Sequence, residues 1–268
     1  MAQMLRPYRP TNLATRRIDS FAKRFGKPHL YFAYHAAFPL ALTPDLLYRL
    51  WANFQQDIHG RELDIPWVAV ADILLSPLCQ EVGEELYEME GEVRNQLLRQ
   101  LKAEKNFSQT RIIQLSDFLL EYIQQQVERD NLDWQDFAQA QHWTALAYTQ
   151  PKKAAQQLAR VYTGLNQKDI SELVRMESLV ETLAEPLAKF QPLLVYAQGM
   201  GNFARDEIET AATQLQKLPK RGNRIQVAGV SLPIPEEIQK KKQPWTRRRF
   251  LRTAGLVVVG GGVAVGAE

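Results

Sequence analysis

The sequence predicts a mainly α protein: a helical array, with a small winged-helix-like β-hairpin unit in the N-terminal half and a C-terminal apolar tail. Three observations carry that reading. Apolar residues recur at three- and four-residue steps over most of the chain, the period of helices with one buried face. A glycine-containing stretch between residues 76 and 90 breaks that period and interleaves apolar with polar residues, as strands do. The last part of the chain passes from strongly basic to uncharged and apolar.

Composition sets the outer bounds. With 268 residues, 45% hydrophobic and 24% charged, the chain is long enough for one large or two ordinary domains and is globular in character. The formal net charge of +3 hides a segregation. Residues 1–28 hold seven basic side chains against one acid, Asp19, and residues 240–252 hold seven more and no acid. Between them lie 19 basic and 28 acidic residues, so the body carries −9. An acidic body argues against nucleic acid as its partner, because duplex affinity rests on cations that neutralise phosphates. The anionic cytoplasmic face of a membrane suits the two basic ends better. The single cysteine, Cys79, excludes an intrachain disulfide and fits a reducing compartment.

Taken in order, residues 1–28 read as a basic arm and a first helix. Pro7 and Pro10 precede a helix expected from Leu13 to Phe25, and Gly26 and Pro28 punctuate its end. No apolar run of secretory type opens the chain. Residues 29–130 are expected to form a helical domain containing the winged-helix-like unit. Thr43, Pro44 and Asp45 make a helix start: an N-cap, proline at the first helical position and an acid in the first turn. Leu46, Leu47, Leu50, Trp51 and Phe54 supply the apolar stripe, which runs out near Gly60. A second helical stretch after Pro66 carries Trp67, Val70, Ile73 and Leu74 and stops at Ser76 and Pro77. The segment from Ser76 to Glu90 then suggests a hairpin, with helix as the alternative because it is rich in glutamate. Val93, Leu97, Leu98 and Leu101 resume helical spacing. Helix, hairpin, helix over residues 66–104 is the order expected of a winged-helix unit.

Residues 131–219 read as a helical array. Trp134, Phe137, Ala138, Trp143 and Leu146 mark one helix, Pro151 opens another, and a third is expected from about Asp169 to Leu183. Tyr196 to Leu218 has the small and aromatic placements of one tetratricopeptide-like hairpin, at Gly199, Phe203, Ala211 and Leu215; no second copy follows at a 34-residue step. Two packed amphipathic helices are the plainer reading of the same residues. Residues 220–245, polar and proline-bearing with one β-prone run at Ile225 to Val230, are expected to be a linker.

Residues 246–268 form a twin-arginine-like and apolar membrane segment. The run from Ala254 to Ala267 is 14 residues long, five of them glycine. As a helix it would reach about 21 Å against a hydrocarbon core of about 30 Å. It is too short to span alone and closer to the apolar core of an export signal. Before it, Thr246, Arg247, Arg248, Phe250, Leu251 and Arg252 resemble the twin-arginine export motif, with Arg247 and Arg248 as the recognised pair and Arg252 where lysine is commoner. Such signals ordinarily open a protein, so a membrane anchor with its basic flank inside is the alternative.

The sequence offers no catalytic, cofactor-binding or metal-binding residues. His29, His35, His59 and His142 lack ligand spacing, and neither a nucleophile elbow, a P-loop nor an HExxH pair occurs. Glu81, Glu84, Glu85, Glu88, Glu90 and Glu92 read as a solvated acidic edge rather than acid–base machinery. Cys79 reads as a small core residue rather than a nucleophile.

Five stretches together, HLYFAYHAAFPLALTPDLLYRLWANFQQDIHG, DIPWVAVADILLSPLCQEVGEELYEME, DFAQAQHWTALAYTQP, LVETLAEPLAKFQPLLVYAQGMGNFARDE and IQVAGVSLPIPE, resemble the N-terminal module of a cyanobacterial family of multidomain proteins. In that family the module is similar to what precedes a basic-apolar segment and then a formylglycine-generating-enzyme (sulfatase-modifying-factor) domain. The likeness runs from about Phe21 over nearly the whole chain, and the catalytic domain is not among its residues. The resemblance therefore implies an accessory or regulatory module, or part of a split enzyme, and no catalytic residue carries over. The expectation is a non-catalytic protein-interaction module with an unidentified protein partner. Its body would lie in the cytoplasm, associated with a membrane through the C-terminal tail, with export by the twin-arginine route as the variant. Nucleic-acid binding through the winged-helix-like unit is the competing class.

Overall fold

The computed structural model of the protein describes residues 12–125, 132–222 and 224–240. Helix α1 spans Asn12–Phe25 and buries Ala14, Ile18 and Phe21, which its 3.6-residue period places on one face. It is thus part of the first hydrophobic core, not an appendage to it. Gly26 separates α1 from α2 (Lys27–Ala36) at φ 88°, a left-handed backbone that glycine adopts without steric cost. From Tyr31 to Ala36 every residue of α2 is buried, so this helix is the central post of the first core.

Around α2 the chain builds a small three-stranded sheet with its helices, in a winged-helix-like order that does not cover the residues expected. Strand β1 (Ala41–Leu42) leads into α3 (Pro44–Asn53), then α4 (Ala69–Leu74), β2 (Cys79–Gly83) and β3 (Leu86–Met89). The three strands form an antiparallel sheet in the order β1-β3-β2. Leu42 lies opposite Tyr87, and Gln80 opposite Glu88. The unit therefore spans residues 27–89. Its first helix and first strand lie upstream of residue 66, and the following helix, α5 (Gly91–Ala103), lies outside it. Two residues of β1 are too few to leave an alternating pattern in sequence; only their pairing with β3 reveals them.

The N-terminus of α3 is built as its residues require. Thr43 has extended backbone, its hydroxyl accepts from the Leu46 amide at 3.2 Å, and Pro44 fills the first turn. The helix ends at Asn53, short of Gly60, because a loop takes over. Asp57 turns back on itself, its Oδ1 accepting from the amides of His59 at 2.8 Å and Arg61 at 3.0 Å. That side chain offers the backbone partners that helix continuation would otherwise supply.

Two buried polar side chains hold the entry to β1. The guanidinium of Arg94, on α5, donates to the carbonyl of Phe38 at 2.8 Å and points its Nε at that of Pro39. Gln141 lies on α7 (Leu132–Thr149), and its amide accepts from the Leu40 N–H at 2.9 Å and donates to the Ala41 carbonyl at 2.7 Å. A primary amide can do both at once, imitating a neighbouring strand.

After α6 (Ser108–Gln125), α7 joins the two cores: Phe137 and Tyr148 belong to the first, Trp143, Leu146 and Ala147 to the second. The division expected between residues 130 and 131 lies outside the described residues, and α7, which follows it, contributes to both cores, being apolar on more than one side. The second core gathers α8 (Pro151–Gly164), α9 (Ile170–Thr182), α10 (Gln191–Ala204) and α11 (Ile208–Gln216). The hairpin of α10 and α11 corresponds to the tetratricopeptide-like stretch, with Gly199 against Leu215 and Ala211 buried.

Residues 220–240 are not a linker. Strands β4 (Lys220–Arg221), β5 (Arg224–Val227) and β6 (Val230–Pro233) form a second antiparallel sheet in that order, followed by α12 (Glu236–Lys240). Ile225, Val227, Leu232, Ile234 and Ile238 are buried in the second core, and the Tyr196 hydroxyl donates to the Pro233 carbonyl at 2.8 Å. The apolar residues of so short a sheet are diluted by turn residues, which gives the segment a linker's composition. Residues 241–245 lie outside the described residues.

Candidate interaction surface

The residues of the expected export or membrane motif, Thr246, Arg247, Arg248, Phe250, Leu251 and Arg252, lie outside the described residues. Among the described residues no helix is long and apolar enough to cross a membrane. Nor does any group of three or more His, Cys, Asp or Glu among them stand close enough to hold a metal ion.

The histidines have separate surroundings. His29 meets Asp72 of α4 through Nε2, 3.0 Å from Oδ2, and stacks on Phe25. His35 is fully buried, and its Nδ1 lies 2.6 Å from the Tyr31 carbonyl, which makes that nitrogen the donor. Its ring stacks on Phe54 with centroids 5.5 Å apart and meets Phe107 edge-on at 5.2 Å. Burial, and next the charge of Arg111, push its pKa down to about 3. The Arg111 guanidinium lies 4.9 Å from the Phe54 centroid and donates to the Gln56 carbonyl. Burial lowers its pKa to about 10. His35 and Arg111 are thus a structural pair inside an aromatic cluster.

The acidic edge is where the sequence places it. Glu81, Glu84, Glu85 and Glu88 are exposed on the hairpin, and Glu90 meets Arg17 at 3.2 Å. Cys79 is partly buried, and burial pushes its thiol up to about 12, so it is protonated at neutral pH and a poor nucleophile.

What the sequence does not reveal is which apolar residues stay exposed at the two ends of α4. Ala69, Val70, Ile73 and Leu74 face the core. Trp67, 62% exposed, Val68 and Leu75, 82% exposed, face solvent, with Asp72 between them. From Pro66 to Pro77 there is no lysine or arginine. Apolar residues on every side of a short helix cannot all be explained by one core, but the sequence does not say which remain uncovered.

The adjoining hairpin would be the wing, and it is acidic. Neither the stretch from Pro66 to Pro77 nor the hairpin of glutamates itself supplies the phosphate-neutralising groups that a duplex requires. An exposed tryptophan is instead a residue type enriched where proteins meet. No protein-family model matches this chain, no curated protein is significantly similar to it, and no solved structure is significantly similar to it.

Proposed function

We propose that the folded body is a non-catalytic protein-interaction module, with an accessory or regulatory role, brought to a membrane or an export route by the segment after residue 245. The observation that supports the interaction role is the exposed apolar group that flanks α4, Trp67, Val68 and Leu75, in a stretch from Pro66 to Pro77 without lysine or arginine. Such a surface gains from being covered by another apolar surface, at about 25 cal/mol per Å² removed from water. The addressing role is supported by Thr246 to Arg252 followed by the apolar run to Ala267.

A photo-crosslinking residue placed at Leu75 in the full chain tests the first part. Adducts to protein in cells are the expected result; adducts to DNA, or to lipid alone, overturn it. Fractionation of the full chain beside a chain ending at residue 245 tests the second. The full chain is expected with membranes or exported and the shortened one in the soluble fraction; identical soluble behaviour of both refutes the tail's role.

A further inference from the structure

We infer that the groove between α1 and α4 receives an acidic peptide segment bearing an apolar side chain, presented by a partner protein. This rests on the body being an interaction module, and it specifies the chemistry of what that module holds. The groove encloses about 430 Å³, room for a few side chains. Phe21 and Phe25 are aromatic lining residues, their ring centroids 4.9 Å apart, and Leu75 stands at the α4 edge. Along α1 the lining is cationic: Arg16, Arg17 and Arg24.

Arg16 and Arg24 are eight residues apart on one helical stripe, about 12 Å at 1.5 Å per residue. Arg17 is held by Glu90, and Arg24 lies 5.0 Å from the Phe25 centroid. Among the described residues neither Arg16 nor Arg24 has an acidic partner. The one carboxylate in the lining, Asp72, is engaged by His29. With Arg17 paired to Glu90 and Asp72 engaged by His29, Arg16 and Arg24 make the lining cationic, beside the residues 29–239 that carry −9.

Charge therefore selects the occupant. The chain's own ends are unsuitable, since residues 1–11 and 241–252 are basic and contain no acid. A duplex would bring phosphates against the glutamates of the wing. A bilayer could touch the edges but, being flat, would leave the aromatic lining unfilled. An acidic segment can put carboxylates on Arg16 and Arg24 as charge-assisted, bidentate pairs while one apolar side chain enters between Phe21, Phe25 and Leu75.

A library of random twelve-residue peptides displayed on phage and selected against the full chain tests this. Enrichment of peptides combining Glu or Asp with Leu or Phe is expected. By fluorescence polarisation, the affinity of a selected peptide should fall at least tenfold in the Arg16→Glu, Arg24→Glu double variant and survive in Arg16→Lys, Arg24→Lys. Circular dichroism of each variant verifies its fold. Neutral or basic selected peptides, or affinity indifferent to charge reversal, overturn the inference. If Leu75→Glu abolishes binding and the arginine reversal does not, the interaction role stands and the acidic partner falls. If no peptide is selected and vesicles containing phosphatidylglycerol bind instead, the groove's occupant is a bilayer and both readings fall. Sedimentation showing a dimer that both Arg16→Glu and Glu84→Arg dissolve would assign the groove to a second copy, and that too overturns it.

Discussion

Acid should destabilise this protein through His35 before most of its carboxylates titrate. The ring is neutral in the folded state, its pKa pushed down to about 3 by burial and then by Arg111, whereas an unfolded histidine titrates near 6.5. Below about pH 6.5 the unfolded chain takes up a proton that the folded chain refuses, so stability falls as pH falls from there towards 3. Each pH unit in that window removes about 1.4 kcal/mol, and the whole interval about 4 to 5 kcal/mol at most. That is a large share of the 5 to 15 kcal/mol typical of a folded domain. Urea unfolding at pH 7, 6, 5 and 4, followed by tryptophan fluorescence, reads the slope directly. The comparison is His35→Phe, which keeps an aromatic ring among Phe54 and Phe107 and cannot take a proton. The variant is expected to start less stable, having lost the contact to the Tyr31 carbonyl, and to lose stability with acid more gently. Asp57 and Asp169, whose carboxyls are held low chiefly by the Arg61 amide and the Ser171 hydroxyl, remain in both proteins and cancel in the difference. Equal slopes between pH 6.5 and 4 would refute the assignment of the acid sensitivity to His35.

Three other substitutions probe the scaffold. Gln141→Ala leaves the Leu40 amide and the Ala41 carbonyl without their partner beneath the surface, and should cost about 2 to 4 kcal/mol in urea unfolding; a loss under 0.5 kcal/mol would show that the clamp does not hold β1. Gly199→Ala puts a methyl carbon 2.7 Å from Leu215 Cδ2 in the second core, an overpacking worth about 1 to 3 kcal/mol. The Leu215→Ala partner change should make the pair less damaging than the sum of the singles, and strict additivity would contradict the contact. Thr43→Ala removes the cap of α3 and should lower stability by about 1 kcal/mol, with Thr43→Asp close to neutral; equal losses in both would argue against capping.

The sequence by itself determines most of the helices, because amphipathic period and capping are local, though not α2, which is buried on every side from Tyr31 to Ala36, nor α12. Thr43 with Pro44 starts α3, and Pro151 starts α8, whatever lies across the core. It determines the charge segregation and the acidity of residues 81–92 for the same reason, since neither needs a partner in space. Only tertiary structure decides the rest. Ala41 and Leu42 are a strand because β3 lies beside them, which places the winged-helix-like unit at 27–89. Ile225, Val227 and Leu232 are core because α8 and α10 leave space for them. Arg94 and Gln141 are polar residues on helices, yet both are buried and hydrogen-bonded to the backbone that leads into β1. The candidate site is of the second kind: Arg16, Arg17 and Arg24 are ordinary solvated cations along α1 until α4 packs beside them with Leu75 left uncovered. Apolar period says that a residue belongs in some interface, and only the assembled fold says which of those interfaces is still open.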